Sequence, residues 1–230
     1  INNNLWIYGK GEVAKFNPSN SSWTSFFSTT GFSGSATINS MTVDNINTLW
    51  TIGDGKLRKG TTNISSAILF SSLAFAPATG RVWLTSLTSM SLYYVNTNST
   101  QINIVATSGI VGGGDEMKVN DDGEIYLTTE TGIIRTNSSG TLISNYNSSN
   151  TNGFISGRPT MFDFDKKGNL WVLLSGHLYK LPVSNSGSTK KYSFNADLDT
   201  ISSISVVTIA GTDTDILLAK TSGHAAIKVR

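Results

Sequence analysis

The chain has 230 residues, long enough for one all-β domain with a substantial core. Charged residues make up only 14%, against roughly 25% in an ordinary soluble domain, and the net charge of +2 comes without the clustered Lys and Arg that nucleic acid demands. Cysteine is absent, which excludes disulfides, thiolate metal sites and thiol nucleophiles, and no stretch approaches the ~18 apolar residues of a membrane span.

Taken in order, the chain repeats one phrase. It opens at Ile1 rather than Met, as expected of a processed chain or a segment of a longer protein, with no signal peptide. NNNLWIYGKGEVAKFNP (2–18) reads as strand, Gly-rich turn and strand, followed by WTSFFST as a further strand. INSMTVDN, NINTLWTIGDGKLRKG and SSAILFS then form a second unit, and SLAFAPATG, GRVWLTSLTSMSLYYVN and INIVATS a third. DEMKVNDD, GEIYLTTETGIIRTN and LISNYNS make a fourth, and TMFDFDKK, GNLWVLLSGHLYKLP and KYSFNA a fifth. ISSISVVT, DILLAK and AAIKVR close the chain. Alternation at period two with Gly, Asn and Asp turns is a hairpin signal, and no helical period is sustained.

Aligned on the aromatic of the second strand, the slots are Trp6, Trp50, Trp83, Tyr126, Trp171 and Leu217, at intervals of 44, 33, 43, 45 and 46 residues. A period near forty, built of short strands, predicts stacked four-stranded units. A lone antiparallel sheet covers neither its apolar faces nor its edges, whereas units circling an axis shield one another. The fold class expected is an all-β β-propeller spanning 1–230 as a single domain, with six blades of three to four antiparallel strands. Five blades, with both termini in one blade, is the alternative. The aromatic series is expected between blades; Trp23 lies outside it, in an outer strand, as the exposed aromatic.

DKKGNLWVLLSGHLYKLP and NDDGEIYLTTETGIIRTN carry a family resemblance. The pattern Asp-x-x-Gly-Asn-Leu-Trp, small residues, then Gly-Leu and an aromatic or basic strand resembles the two-component-regulator-type propeller repeat over essentially the whole chain. The resemblance implies a propeller with six to eight blades, an extracytoplasmic location in bacteria of the Bacteroidetes group, and binding rather than catalysis. The kinase segments of such sensors lie outside this chain.

On a propeller the turns between second and third strands share a face with the loops entering the inner strands. That places Lys10, Asp54, Lys56, Glu130, His177 and His224 on one rim, joined by Asp115, Glu116, Arg158 and Asp199. SGHLYK and SGHAAIK set His177 and His224 in the same turn of consecutive units, where a pair of imidazoles suits a ligand, a proton or a metal. The streptogramin-lyase-like propellers use His and Glu beside magnesium. Their close His-x-Glu spacing is missing here, since Ser175 and Ser222 stand two residues before the histidines. GIVGGGDEM lacks the Lys-Ser/Thr of a phosphate loop, and DFDKKGN lacks the later ligands of a calcium loop and reads as a hairpin turn. Five N-x-S/T sequons, at Asn20, Asn63, Asn98, Asn137 and Asn147, are expected by chance in so Asn- and Ser-rich a chain.

The function expected is therefore a non-catalytic, extracellular, cell-surface or periplasmic recognition module. Its partner is a protein or polysaccharide, and a place in a larger surface assembly is compatible with it. Neither cofactor nor metal is expected, nor nucleic acid or direct membrane insertion. A lectin-like propeller, or a lyase or hydrolase using His177 and His224, are the alternatives.

Overall fold

The computed structural model describes residues 5–9, 12–25, 38–64, 66–86, 88–89, 91–105, 116–151, 154, 157–165, 167–175, 177–182, 189–192, 201–209, 213–220 and 226–229. Among them there is no helix. The strands form six antiparallel sheets. The first holds β1 (Leu5–Gly9), β2 (Glu12–Asn17) and β3 (Ser22–Ser25). The second runs β4 (Ile38–Val43), β5 (Leu49–Gly53), β6 (Lys56–Lys59) and β7 (Thr62–Ile64). The third runs β8 (Phe70–Ala76), β9 (Arg81–Ser86), β10 (Leu92–Asn96) and β11 (Ile102–Val105). The fourth runs β12 (Met117–Val119), β13 (Ile125–Thr129), β14 (Gly132–Thr136) and β15 (Leu142–Asn147). The fifth runs β16 (Met161–Phe164), β17 (Leu170–Leu174), β18 (His177–Leu181) and β19 (Lys190–Tyr192). The last holds β20 (Ile201–Ile209), β21 (Asp213–Lys220) and β22 (Ala226–Val229).

Each sheet is an up-and-down meander in chain order, as the hairpin turns dictate. One boundary departs from expectation. The outer strand of the second sheet is β7, inside TTNIS, whereas SSAILFS leads into β8 and contributes only its last residues to it. The segment is held over the β5–β6 turn on its way into the next sheet, the Phe70 N–H donating to the Gly55 carbonyl at 2.9 Å.

The chain divides into two compact units, 1–126 with 136–142 and 127–135 with 143–230. In the first, β1 lies beside β4, and β4 and β12 both lie beside β8. Trp50, Ile52, Leu57 and Ile64 of one sheet pack against Leu73, Val82, Leu84, Tyr93 and Val95 of the next. Apolar sheet faces thus meet, as the repeat requires. Ser40 adds a polar tie, its hydroxyl accepting from the Leu73 N–H at 3.2 Å. In the second unit, β16 lies beside β20.

The recurring phrase has a local cause. Asp44 follows β4, and its carboxylate accepts from the Ile46 and Thr48 N–H groups and from the Trp50 indole at 2.9 Å. Asp165 repeats the arrangement with the Lys167 and Asn169 N–H groups and the Trp171 indole at 3.1 Å. One buried carboxylate therefore closes the turn and fixes the core aromatic. DFDKKGN is this turn, as the hairpin reading expected. Asn120 plays a reduced version, accepting from the Glu124 N–H. The third sheet has no such carboxylate: Ala76 occupies the corresponding end of β8, and the buried Trp83 indole N–H is without a hydrogen-bond partner.

Opposite three of the indoles sits a cation. Trp6 pairs across the strands with Lys15, Trp50 with Lys59 and Trp171 with Lys180. The three ammonium groups lie 5.5, 5.3 and 4.9 Å from the ring centroids. Each such contact is worth roughly 0.5–2 kcal/mol, depending on desolvation. Trp23 is exposed, as expected, with Phe16 against it at 4.8 Å.

Candidate functional site

Three of the expected residues gather at one end of the second unit. The turn after β13 carries Glu130, and the loop entering β16 carries Arg158; their side chains form an ion pair at 3.0 Å, partly open to solvent. The preceding Gly157 has φ +147, and a Cβ there would stand 3.1 Å from Leu174 and 3.7 Å from Ser175. Glycine thus lets this loop lie against the β17–β18 turn. Ser175 holds φ +48 in that turn, and the Leu174–His177 pair closes it.

His177 is half-buried, and its ring stands edge-on to Tyr179 at 6.4 Å. Phe154 packs on the same Tyr179 ring at 5.3 Å. The His177 Nδ1 and the Tyr179 hydroxyl are both buried with no hydrogen-bond partner among the described residues. Burial raises the Tyr179 hydroxyl above its ordinary pKa of 10.0, so it stays a neutral donor and acceptor. Charge is paired between Glu130 and Arg158, while the imidazole and phenol of β18 keep unused hydrogen-bonding capacity. That combination suits recognition of a polar ligand.

The remaining candidates are placed differently. Asp54 and Gly55, in the first unit, have φ +50 and +74, both central positions of a two-residue type I′ hairpin turn. Lys56 opens β6 and is exposed. Glu116, also in the first unit, forms an ion pair with Lys118 at 3.6 Å. Lys10, Asp115, Asp199 and His224 lie outside the described residues, and with them the expected His177–His224 pairing. Among the described residues no three His, Cys, Asp or Glu side chains cluster as metal ligands. Sequence reading missed Tyr179 and Phe154; only the strand period, which sets residues 177 and 179 on one face of β18, marked the former.

No protein-family model and no curated protein matches the sequence. Solved structures do. A streptogramin B lyase superposes with a TM-score of 0.71 and 14% identity, over 98% of this chain and 78% of that one. The extracellular domain of a hybrid two-component system from B. thetaiotaomicron aligns with a TM-score of 0.65 and 15% identity, over all of this chain and 32% of that one. A chain of a nidogen/laminin complex aligns with a TM-score of 0.66 and 11% identity, over 94% of this chain and 85% of that one.

The fold is a β-propeller. Identities this low establish the fold alone, and the propeller is shared by neighbours of mixed function. On it, the Glu130–Arg158–His177 end is the richest described combination of paired charge and unsatisfied polar groups.

Proposed function

We propose that this propeller is a non-catalytic, extracytoplasmic recognition module, a single domain over residues 1–230, which binds a protein partner through the loops carrying Glu130, Arg158 and His177. The reading rests on the Glu130–Arg158 ion pair and on the Arg158 loop lying against the turn that leads to His177, whose Nδ1 is unpartnered among the described residues. Loops of unlike chemistry suit one irregular partner surface better than repeated identical sugars. Solved neighbours include a nidogen/laminin complex and YCF48 bound to D1 peptide, which lends support to a protein ligand. The extracellular domains of two Bacteroides hybrid systems support the location. A polysaccharide ligand and membership of a larger surface assembly are variants of the same reading. As to blade number, the six of the sequence reading counts every sheet as a blade, and the structural likeness supports the alternative of five.

The test is a binding screen of the whole chain on arrays of extracellular proteins and glycans, repeated with Glu130→Ala/Arg158→Ala/His177→Ala. A protein ligand lost in the triple variant at unchanged melting temperature supports the proposal; a glycan ligand lost in the same way selects the lectin-like alternative. Binding that survives all three changes removes this end of the molecule from the account. The lyase likeness motivates a catalytic alternative, checked by incubation with virginiamycin B. Turnover abolished by His177→Ala would establish it.

A further inference from the structure

We propose that β15 is a strand-addition edge, which takes up an extended, uncharged segment of a partner polypeptide. β15 is last in the order β12–β13–β14–β15, so among the described residues one side of its backbone has no hydrogen-bonded neighbour. An open edge presents alternating N–H and C=O groups, and the ligand that matches that repeat is another strand. The last strands of the other complete sheets' meanders, β11 among them, are shorter than β15. β7 and β19 have three residues each, and β19 carries Lys190 and Lys191; β11 has four. β15 has six, LISNYN, with no charge, and its Leu142 and Ile143 are exposed at 39% and 46%.

No charged residue occurs between Arg135 and Arg158, so β15 itself offers no charge for an incoming segment to pair with. A second copy is a poorer occupant. Six residues paired edge to edge bury far less than the ~1,200–2,000 Å² of a stable interface between folded surfaces. An extended segment, by contrast, follows the strand along its full length. The site does not depend on the Glu130–Arg158–His177 reading.

The experiment uses the whole chain and, as probe, a fluorescein-labelled octapeptide of alternating Thr and Val, followed by fluorescence polarisation. Saturable binding is expected, weakened at least tenfold by Ile143→Lys and by Leu142→Lys, and unchanged by Thr62→Lys on β7. N-methylation of alternate peptide residues along one edge should abolish it, which reads the backbone ladder directly. Circular dichroism checks that each variant is folded, and having two β15 variants keeps the test decisive if one is not. No saturable binding, equal binding to the β15 lysine variants, equal binding of the N-methylated peptide, or an Ile143-dependent dimer in sedimentation would each overturn the proposal. The triple variant of the loop end should bind the octapeptide unchanged, so failure of one reading is distinguishable from failure of the other.

Discussion

Replacing Asp165 by Ala should be among the most destabilising single changes in the second unit. The carboxylate accepts from the Lys167 and Asn169 N–H groups, the Asn169 side chain and the Trp171 indole, and Lys180 lies 3.6 Å away. Trp171 is buried, so its N–H would be left without a partner, which costs about 1–3 kcal/mol. The turn N–H groups recover water in part and add about 1–2 kcal/mol between them. Lys180 is partly exposed and keeps its seat over the indole, so its share is small. The sum is about 2–5 kcal/mol, which at roughly 2–4 °C per kcal/mol for a chain of this size lowers the melting temperature by about 4–20 °C. Urea denaturation and calorimetry of wild type and variant measure it. A loss below about 1 kcal/mol would show that solvent or repacking replaces the carboxylate, and would refute the explanation given for the repeated phrase.

The same group carries a pH signature. Burial alone would raise the Asp165 pKa, but hydrogen bonds from the Asn169 side chain and backbone and from Trp171, together with Lys180, outweigh it and hold the carboxyl below 3.8. A depressed carboxyl contributes stability that is complete above its unfolded pKa and is lost as pH falls through the folded one; Asp165→Ala should therefore lose part of the wild-type acid sensitivity below about pH 4 in melts from pH 7 to 2. Trp83→Phe should cost about 1–2 kcal/mol less than Trp50→Phe, because only the Trp50 indole donates to a carboxylate; equal losses in urea titrations would contradict this. Gly55→Ala should destabilise by about 1–2 kcal/mol, since φ is +74 and a Cβ would stand 2.9 Å from Leu69; an unchanged melting temperature would count against the turn assignment. A double-mutant cycle on Glu130 and Arg158 should give coupling below about 1 kcal/mol that fades in 1 M salt, as both groups are partly exposed.

Much of this was legible in the sequence because the causes are local. Asp44 and Trp50, like Asp165 and Trp171, are six residues apart, and the cation follows its indole after nine: Trp6 to Lys15, Trp50 to Lys59, Trp171 to Lys180. Turn length fixes such spacings, so they survive as a readable pattern. The SSAILFS segment was misplaced because it passes over the β5–β6 turn on its way into the next sheet, a course that no local period encodes. The loop end was half readable. Topology placed the turns of Glu130 and His177 and the loop of Arg158 at one end, but the contact between Glu130 and Arg158 spans a sheet boundary. Nor does Tyr179, to the eye one more core aromatic, announce that its hydroxyl lacks a partner.

The carboxylate beneath the Asp44 and Asp165 turns spans only a few links of backbone, so the hairpin it secures needs no help from remote sequence to take shape. A part that brings its own fastening can be copied, shortened or exchanged without redesigning the whole. A lineage assembled from such parts is free to vary their number while every aromatic wedge stays seated.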